Sequence, residues 1–374
     1  MILTNAMLVL PDEVVHGTVH LEDGLIRDIQ PGPARHPGAH DLEGDLLIPG
    51  IVDLHTDNLE RQVQPRANAR WPSRSAFLAH DAQCAVAGVT TVLDALCLGD
   101  LGFDQGRDQT FQEGVGDLTH WSGTGLLRAE HLLHLRCELP AKDMPALLDG
   151  VAEHPLVAMV SLMDHSPGVG QYRDLERYKA MRIKQTRMTP AEVDQRIAEL
   201  QANRDATLEK QRRWVLDRLA DRGIPLASHD DESAAQVRRN AADGIRISEF
   251  PVTREAAEAA RDIGVGVIAG APNVVRGGSH SGNVAAMELV RARAVDALAS
   301  DYVPPALVEA AFLLAGETGL PAAVRTVTEA PARMAALHDR GALRPGLRAD
   351  LVRVRRHEGM PVVRATWLRG ARVA

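Results

Sequence analysis

Between Ile51 and Tyr302 the chain repeats one pattern eight times: an apolar run that ends at a polar residue or a turn, in a region where such runs alternate with helical stretches. The runs are IVDLH, GVTTVLDAL, HLLHLRCEL, LVAMVSLMDH, IPLASHD, GIRISEF, GVGVIAGAP and VDALASDY. Apolar strands of this kind are buried on both faces, which is the signature of a parallel sheet covered by helices. Their regular succession favours a closed (β/α)8 barrel over an open sheet, and barrel enzymes place their chemistry at the carboxyl ends of the strands. The expected fold class is therefore α/β, a (β/α)8 TIM-like barrel.

The flanks read differently. Residues 1–49 contain the short strand candidates MLVLPDEVV, GTVHLEDGLIRDIQ and DLLIPG, with the Pro/Gly-rich PGPARHPG between them. After about residue 340 the chain returns to β segments, LRADLVRVRRH and VVRATWLRGARV. We expect residues 1–49 and 340–374 to pair as one small discontinuous β domain beside a barrel spanning 50–339. A chain of 374 residues, 45% hydrophobic, has enough apolar surface for both. One stretch stands apart: Tyr172 to Arg222 is long, highly charged and helical in composition. It reads either as an exposed helical pair inserted in the barrel or as an arm that covers the substrate.

Composition excludes several function classes. Forty-two Lys and Arg against 50 Asp and Glu give a net charge of −8, which argues against a general nucleic-acid binder. No apolar run approaches the roughly 18 residues of a membrane helix, and MILTNAMLVL reads as a first strand, not a signal peptide. Cys84, Cys97 and Cys137 are too few and too scattered for a disulfide framework, so a cytoplasmic protein with reduced thiols is expected. Barrel hydrolases often pair, and a homodimer is the expected assembly.

His55 and Asp57 lie two apart where IVDLH leaves the sheet, so a regular strand would aim both to the same side. A lone His-x-Asp commonly marks only a strand end or a cap. Here, however, later strands end in the same chemistry: Glu138 after HLLHLRC, His165 after SLMD, His229 after LAS and Asp301 after the second LAS. These six side chains converge on one barrel mouth, and imidazole plus carboxylate suits one or two divalent ions, Zn²⁺, Mn²⁺ or Fe²⁺. The neighbouring acids Asp164, Asp230 and Asp231 are candidates for fixing the ring tautomers. The glycine-rich APNVVRGGSHSGN after the seventh strand is the best phosphate cradle in the chain. Gly277 and Gly278 permit a tight turn with free N–H groups, and Asn273, Arg276, Ser279, His280 and Asn283 add donors. Arg61, Arg66, Arg173, Arg177 and Lys179 are further sources of positive charge near strand ends, and Arg66 and Arg173 are the expected contacts for a small anionic substrate.

These residues carry a family resemblance. LLIPGIVDLH, the late ASDY and the closing TEAPARMAAL and RGALRPGLRADLV resemble the amidohydrolase superfamily. LHTDNLE, HLRCELP, SLMDHSPG, ASHDD and GAPNVVRGGSHSGN are similar, over most of the chain, to the diphosphatases of the carbon–phosphorus lyase pathway. That resemblance implies metal-dependent hydrolysis within a ribose 5-triphosphate that bears a 1-methylphosphonate, releasing pyrophosphate and leaving the 5-phosphate. It implies Asp301 as the base that orients the attacking water. The chain departs from the wider superfamily at position 57, an Asp where a second His is usual, and no lysine stands at a strand end to bridge two metals; Glu138 is the natural substitute. The competing expectations are a deaminase or cyclic amidase acting on a C–N bond in the same site, and a non-catalytic subunit of a phosphonate-processing assembly.

Overall fold

The computed structural model describes residues 1–66, 69–102, 106–186, 188–279 and 282–374. The N-terminal segment supplies β1 (Ile2–Val9), β2 (Val14–Glu22), β3 (Leu25–Pro31), β4 (His40–Asp41) and β5 (Leu46–Pro49). The β2–β3 hairpin turns on Asp23-Gly24, both with positive φ, the backbone a two-residue hairpin needs to match strand twist. The eight apolar runs become β6 (Ile51–Thr56), β7 (Val89–Leu98), β8 (Glu130–Glu138), β9 (Val157–Met163), β10 (Leu226–His229), β11 (Ile247–Glu249), β12 (Gly266–Gly270) and β13 (Ala297–Ala299). They pair parallel in chain order, and β6 meets β13 through a bridge between Thr56 and Asp301, which brings the ends of the sheet together. The barrel fold class is thus as the alternation implies.

The C-terminal strands β14 (Leu351–His357), β15 (Met360–Leu368) and β16 (Ala371–Arg372) join the N-terminal ones in a second sheet, ordered β16-β15-β14-β5-β1-β2-β3, with β4 on β1. The two ends of the chain are sewn together where β5 runs antiparallel to β14. Gly50 is the single residue between the last strand of this sheet and the first of the barrel. A Cβ there would lie 2.2 Å from Thr90 Oγ1 and 2.8 Å from Asp350 Cβ, so only glycine lets the two units approach this closely.

Barrel strands β10, β11 and β13 are only three or four residues long, shorter than their apolar runs. Asp230, Phe250 and Asp301, which follow them, have φ of 57°, 51° and 56°. Left-handed backbone at non-glycine residues is costly, and here it occurs where each strand reaches the carboxyl end of the barrel. Inside the barrel, Val52, Leu54, Leu93, Met159, Ala227, Ile247, Ile268 and Ala297 form an apolar plug. It supports the polar mouth from below.

The charged stretch from Tyr172 to Arg222 resolves into two helices, Leu175–Gln185 and Pro190–Leu219. The second starts at a reciprocal Thr189/Glu192 capping box with proline at its first turn, as the sequence TPAE dictates. At 30 residues it is roughly 45 Å long by helical rise. Val215 and Leu219 near its end pack with Leu135, Val160 and Leu162, so this part is the barrel's own crossover from β9 to β10. Its earlier part reaches over the mouth, where Arg196 and Gln201 donate to the Leu101 and Pro167 carbonyls and Arg204 pairs with Asp164.

A buried ionic network lies outside the barrel wall. His80 and Asp81 from the helix Ser73–Val86 meet Asp94 of β7 and His131 of β8. His131 donates through Nδ1 to Asp94 at 2.8 Å and through Nε2 to Asp81 at 3.3 Å, so both ring nitrogens carry protons. Burial opposes the charged ring, but Asp94 and Asp81 outweigh it and raise its pKa from 6.5 to about 9. Burial likewise opposes Asp94 ionisation, yet His131 and His80 hold its carboxyl down at about 2.

Two outcomes are expected. Gly50→Ala should lower unfolding stability by about 1–3 kcal/mol through overpacking, read as a lower denaturant midpoint with unchanged slope. Because the folded His131 pKa lies above its unfolded value, its contribution is complete below pH 6.5 and is lost as pH rises through about 9. The stability difference between wild type and His131→Gln should therefore shrink across that window, and a difference that stays flat from pH 6 to 9.5 contradicts the ionised network.

Candidate metal centre and substrate cavity

The polar mouth is built from alternate residues of strands that face inward. On β8, His134, Arg136 and Glu138 share one face by the two-residue period. On β6 the register against β7 slips between Asp53 and Thr56, a bulge that lets His55 join Leu54 in facing the barrel interior. Asp57 lies just past the strand at the N-cap position of the helix Asn58–Val63, where its side chain makes no capping hydrogen bond. Asp301 reaches it from the other side of the seam: its N–H donates to the His55 carbonyl and its carbonyl accepts from Asp57 N–H.

Two groups of donors result. His55, Asp57 and Asp301 form one; His165, His229 and Asp230 form the other, each with ligand atoms within 4.8 Å of one another. The groups adjoin, since the His55 and His229 rings stack with centroids 5.6 Å apart. In the first, His55 Nε2 is 3.7 Å from Asp57 Oδ1. In the second, Asp230 stands 3.8 Å from Nε2 of both His165 and His229. The His165 Nε2 is buried with no hydrogen-bond partner while its Nδ1 bonds Glu138 at 2.6 Å. An unpartnered buried imidazole nitrogen facing a carboxylate fits a divalent cation, as does the mixed nitrogen and oxygen donor set.

Charge balance in the mouth is set by few groups. Burial opposes ionisation of Asp57, yet Arg136, whose Nη1 lies 2.6 Å from Oδ1, holds its carboxyl below the ordinary range. Burial, aided by the nearby Asp57 charge, raises Asp301 to about 6. His134 is fully buried; desolvation brings it down to about 3, and it stays neutral.

The mouth opens into a cavity of about 290 Å³. Among the described residues its arginines are Arg107, Arg136, Arg182 and Arg276. Arg66 and Arg173, expected at the substrate, stand exposed and outside this wall: Arg66 bridges Ala69 in a surface turn, and Arg173 closes a short 3-10 turn. Arg61 is occupied with Tyr302, Lys179 pairs with Asp194 within the arm, and Arg177 lies against Gly282. The arm instead contributes Gln171, Tyr172 and Arg182, the last lying over the rings of Tyr172 and Tyr178.

The glycine-rich segment lines the opposite wall with Asn273, Arg276, Gly278, Ser279 and Asn283. Its first part is the short helix Ala271–Arg276, which Gly277 ends in left-handed conformation. Asn273 accepts from Ala286 N–H and donates to the Val284 carbonyl, so its amide braces the loop. His280 falls outside the described residues. Of the acids expected to fix the ring tautomers, Asp164 pairs with Arg204, and Asp231 holds Ser228, Ser248 and Asn240. Asp230 joins a donor group. Glu138 holds the His165 ring from behind, and Glu249, not anticipated from the sequence, does the same for His55 and His229. A glutamate ending the sixth strand was the available signal for Glu249; no comparable signal marks His134 or Arg182.

No family model matches the chain. The α-D-ribose 1-methylphosphonate 5-triphosphate diphosphatase of Escherichia coli (strain K12) is 41% identical over 377 residues, covering 100% of both chains. Among solved structures, 5-methylcytosine deaminase from Klebsiella pneumoniae, liganded with 5-fluorocytosine, superposes with a TM-score of 0.64 at 15% identity over 100% of this chain and 97% of that one. N-acetylglucosamine-6-phosphate deacetylase from Pasteurella multocida does so with 0.61 at 12% identity, covering 99% and 98%. Identities this low speak for the fold alone.

Proposed function

The chain belongs to the α-D-ribose 1-methylphosphonate 5-triphosphate diphosphatases of the amidohydrolase superfamily, and from that premise we propose that it hydrolyses this ribose triphosphate to the 5-phosphate and pyrophosphate. The observation that carries the reading is one cavity whose wall holds two adjoining groups of metal-ligating side chains together with Arg107, Arg136, Arg182 and Arg276. Hydrolysis at phosphorus needs an activated water, cationic groups at the non-bridging oxygens and a hold on the leaving pyrophosphate. A C–N hydrolase acting on an uncharged substrate has no comparable use for these arginines.

The residues that would hold divalent metal are His55, Asp57 and Asp301 for one ion and His165, His229 and Asp230 for a second, with Zn²⁺, Mn²⁺ or Fe²⁺ suited to the donors. When bound, such ions supply Lewis acidity and make water nucleophilic near neutral pH. Asp301, at the seam between β6 and β13, takes the proton from the attacking water as the new O–P bond forms at the α-phosphorus. The bond between the α- and β-phosphates breaks, and its electron pair leaves with pyrophosphate. Arg182, brought by the helical arm, and Arg276, from the opposite wall, neutralise the polyphosphate. Arg136 holds the Asp57 carboxylate in place. The three cysteines are free and buried, which supports a reducing, cytoplasmic compartment; no helix among the described residues is long and apolar enough to cross a membrane.

With Mn²⁺ or Zn²⁺ restored, the protein should release pyrophosphate from ribose 1-methylphosphonate 5-triphosphate, followed by ³¹P NMR. His55→Ala and Asp301→Asn should each lower turnover by at least ~10²-fold, the scale of a lost catalytic proton acceptor or ligand. Turnover of amide or amine substrates without any pyrophosphate release would refute the reading. Arg182→Ala should raise KM about 10-fold, some 1.4 kcal/mol of substrate binding, and leave metal content unchanged; an unaltered KM removes the arm from the substrate site.

A further inference from the structure

Beneath the two donor groups lies a third, His55, His134 and Glu249, fully buried in the barrel. Its hydrogen bonds rule it out as an ion site. His134 donates through Nδ1 to the Leu54 carbonyl at 3.0 Å, so its Nε2 has only a lone pair, and this accepts from Ser161 Oγ at 2.9 Å. The Glu249 Oε2 therefore lies 3.7 Å from a nitrogen that has no proton to give it. Both Glu249 oxygens are directed elsewhere. Oε1 accepts from His55 Nδ1 at 3.1 Å, and Oε2 from His229 Nδ1 at 3.3 Å.

One carboxylate thus touches one histidine of each donor group, on the edge of each ring away from the cavity acids. With the proton held at Nδ1, each ring keeps its Nε2 lone pair, and these Nε2 atoms are the ones 3.7 Å from Asp57 and 3.8 Å from Asp230. The backbone of the same residue acts too: the Glu249 carbonyl accepts from Asp230 N–H at 2.9 Å, at the left-handed turn that presents the Asp230 side chain. We propose that Glu249 is a shared positioning residue, which sets tautomer and orientation for His55 and His229 and so makes both ion sites at once. Glu138 does this for His165 alone. Outer partners of this kind fix the tautomer of a metal-bound imidazole and change metal affinity by 10–100-fold when removed.

The inference rests on the two-ion reading above and has a test of its own. A glutamine at 249 has the shape of glutamate, but only its carbonyl oxygen accepts. One histidine keeps its Nδ1 proton; the other faces the amide NH₂, must accept at Nδ1, and carries its proton at Nε2, where it cannot bind metal. Zinc content of the full-length protein by elemental analysis, and zinc affinity by competition with a fluorescent chelator, distinguish the outcomes. Wild type should hold two ions and Glu249→Gln one, with affinity for the retained ion lowered up to about 10-fold. If Glu249→Gln loses its cooperative melting transition, Glu249→Asp decides. That variant keeps the charge but retracts it, and should retain both ions with affinity reduced at least about 10-fold.

Wild-type zinc content and affinity in Glu249→Gln, or unchanged affinity in Glu249→Asp, would overturn the assignment. If wild type itself holds a single ion, the affinity comparison carries the decision, and a drop of tenfold or more in Glu249→Gln upholds the positioning role. None of these readouts involves turnover, so a wild-type protein that binds zinc but releases no pyrophosphate counts against the substrate assignment and not against Glu249.

Discussion

Across the seam of the barrel, Asp301 N–H donates to the His55 carbonyl, and Asp57 N–H donates to the Asp301 carbonyl. The first and last strands of the barrel thereby share main-chain hydrogen bonds at the very residues whose side chains form the first donor group. Closure and site assembly are one event. Backbone polar groups at this depth must be paired, so the pairing that ends the sheet also fixes the spacing of His55, Asp57 and Asp301. Asp53 reinforces it from below, accepting from Ser300 N–H and from His55 N–H.

The mouth grows less polar with depth. Asp57, Asp230 and Asp301 line the cavity together with the His55, His165 and His229 rings and Glu138, while Glu249 lies below them and bonds His55 and His229 through Nδ1. Below come neutral His134 and then the apolar plug. A carboxylate buried as deeply as Glu249 is tolerable only because it is hydrogen-bonded on both oxygens; unpaired, its desolvation would be prohibitive. The same pairing leaves the Nε2 lone pairs facing outward, so satisfaction of a buried charge and readiness for metal have one cause.

The arm between β9 and β10 joins scaffold and substrate wall in one helix. The end of Pro190–Leu219 is locked into the barrel's apolar layer, which lets its beginning and the helix Leu175–Gln185 extend over the mouth without losing their position. Arg182 consequently arrives at the cavity from an element whose sequence shows only charge and helical composition.

The eight barrel strands and the β character of both flanks were legible from sequence because each depends on local signals, apolar runs and punctuating polar residues, whereas the break of GTVHLEDGLIRDIQ into β2 and β3 at Asp23-Gly24 was not read there. That His55, Asp57, Glu138, His165, His229 and Asp301 gather at one mouth was also legible, since a barrel gathers its strand ends whatever their separation in the chain. What those residues do to one another was not. That Glu138 spends both carboxylate oxygens on His165, and which arginines reach the cavity, depends on bulges and rotamers set by neighbours distant in sequence. His134 lies within an apolar strand and Glu249 at the end of one, and only the inward side of the barrel wall gives them partners. Hydrophobic periodicity is a property of successive residues and so is written in the chain; hydrogen-bond partnership is a property of pairs, and only the closed barrel decides the pairs.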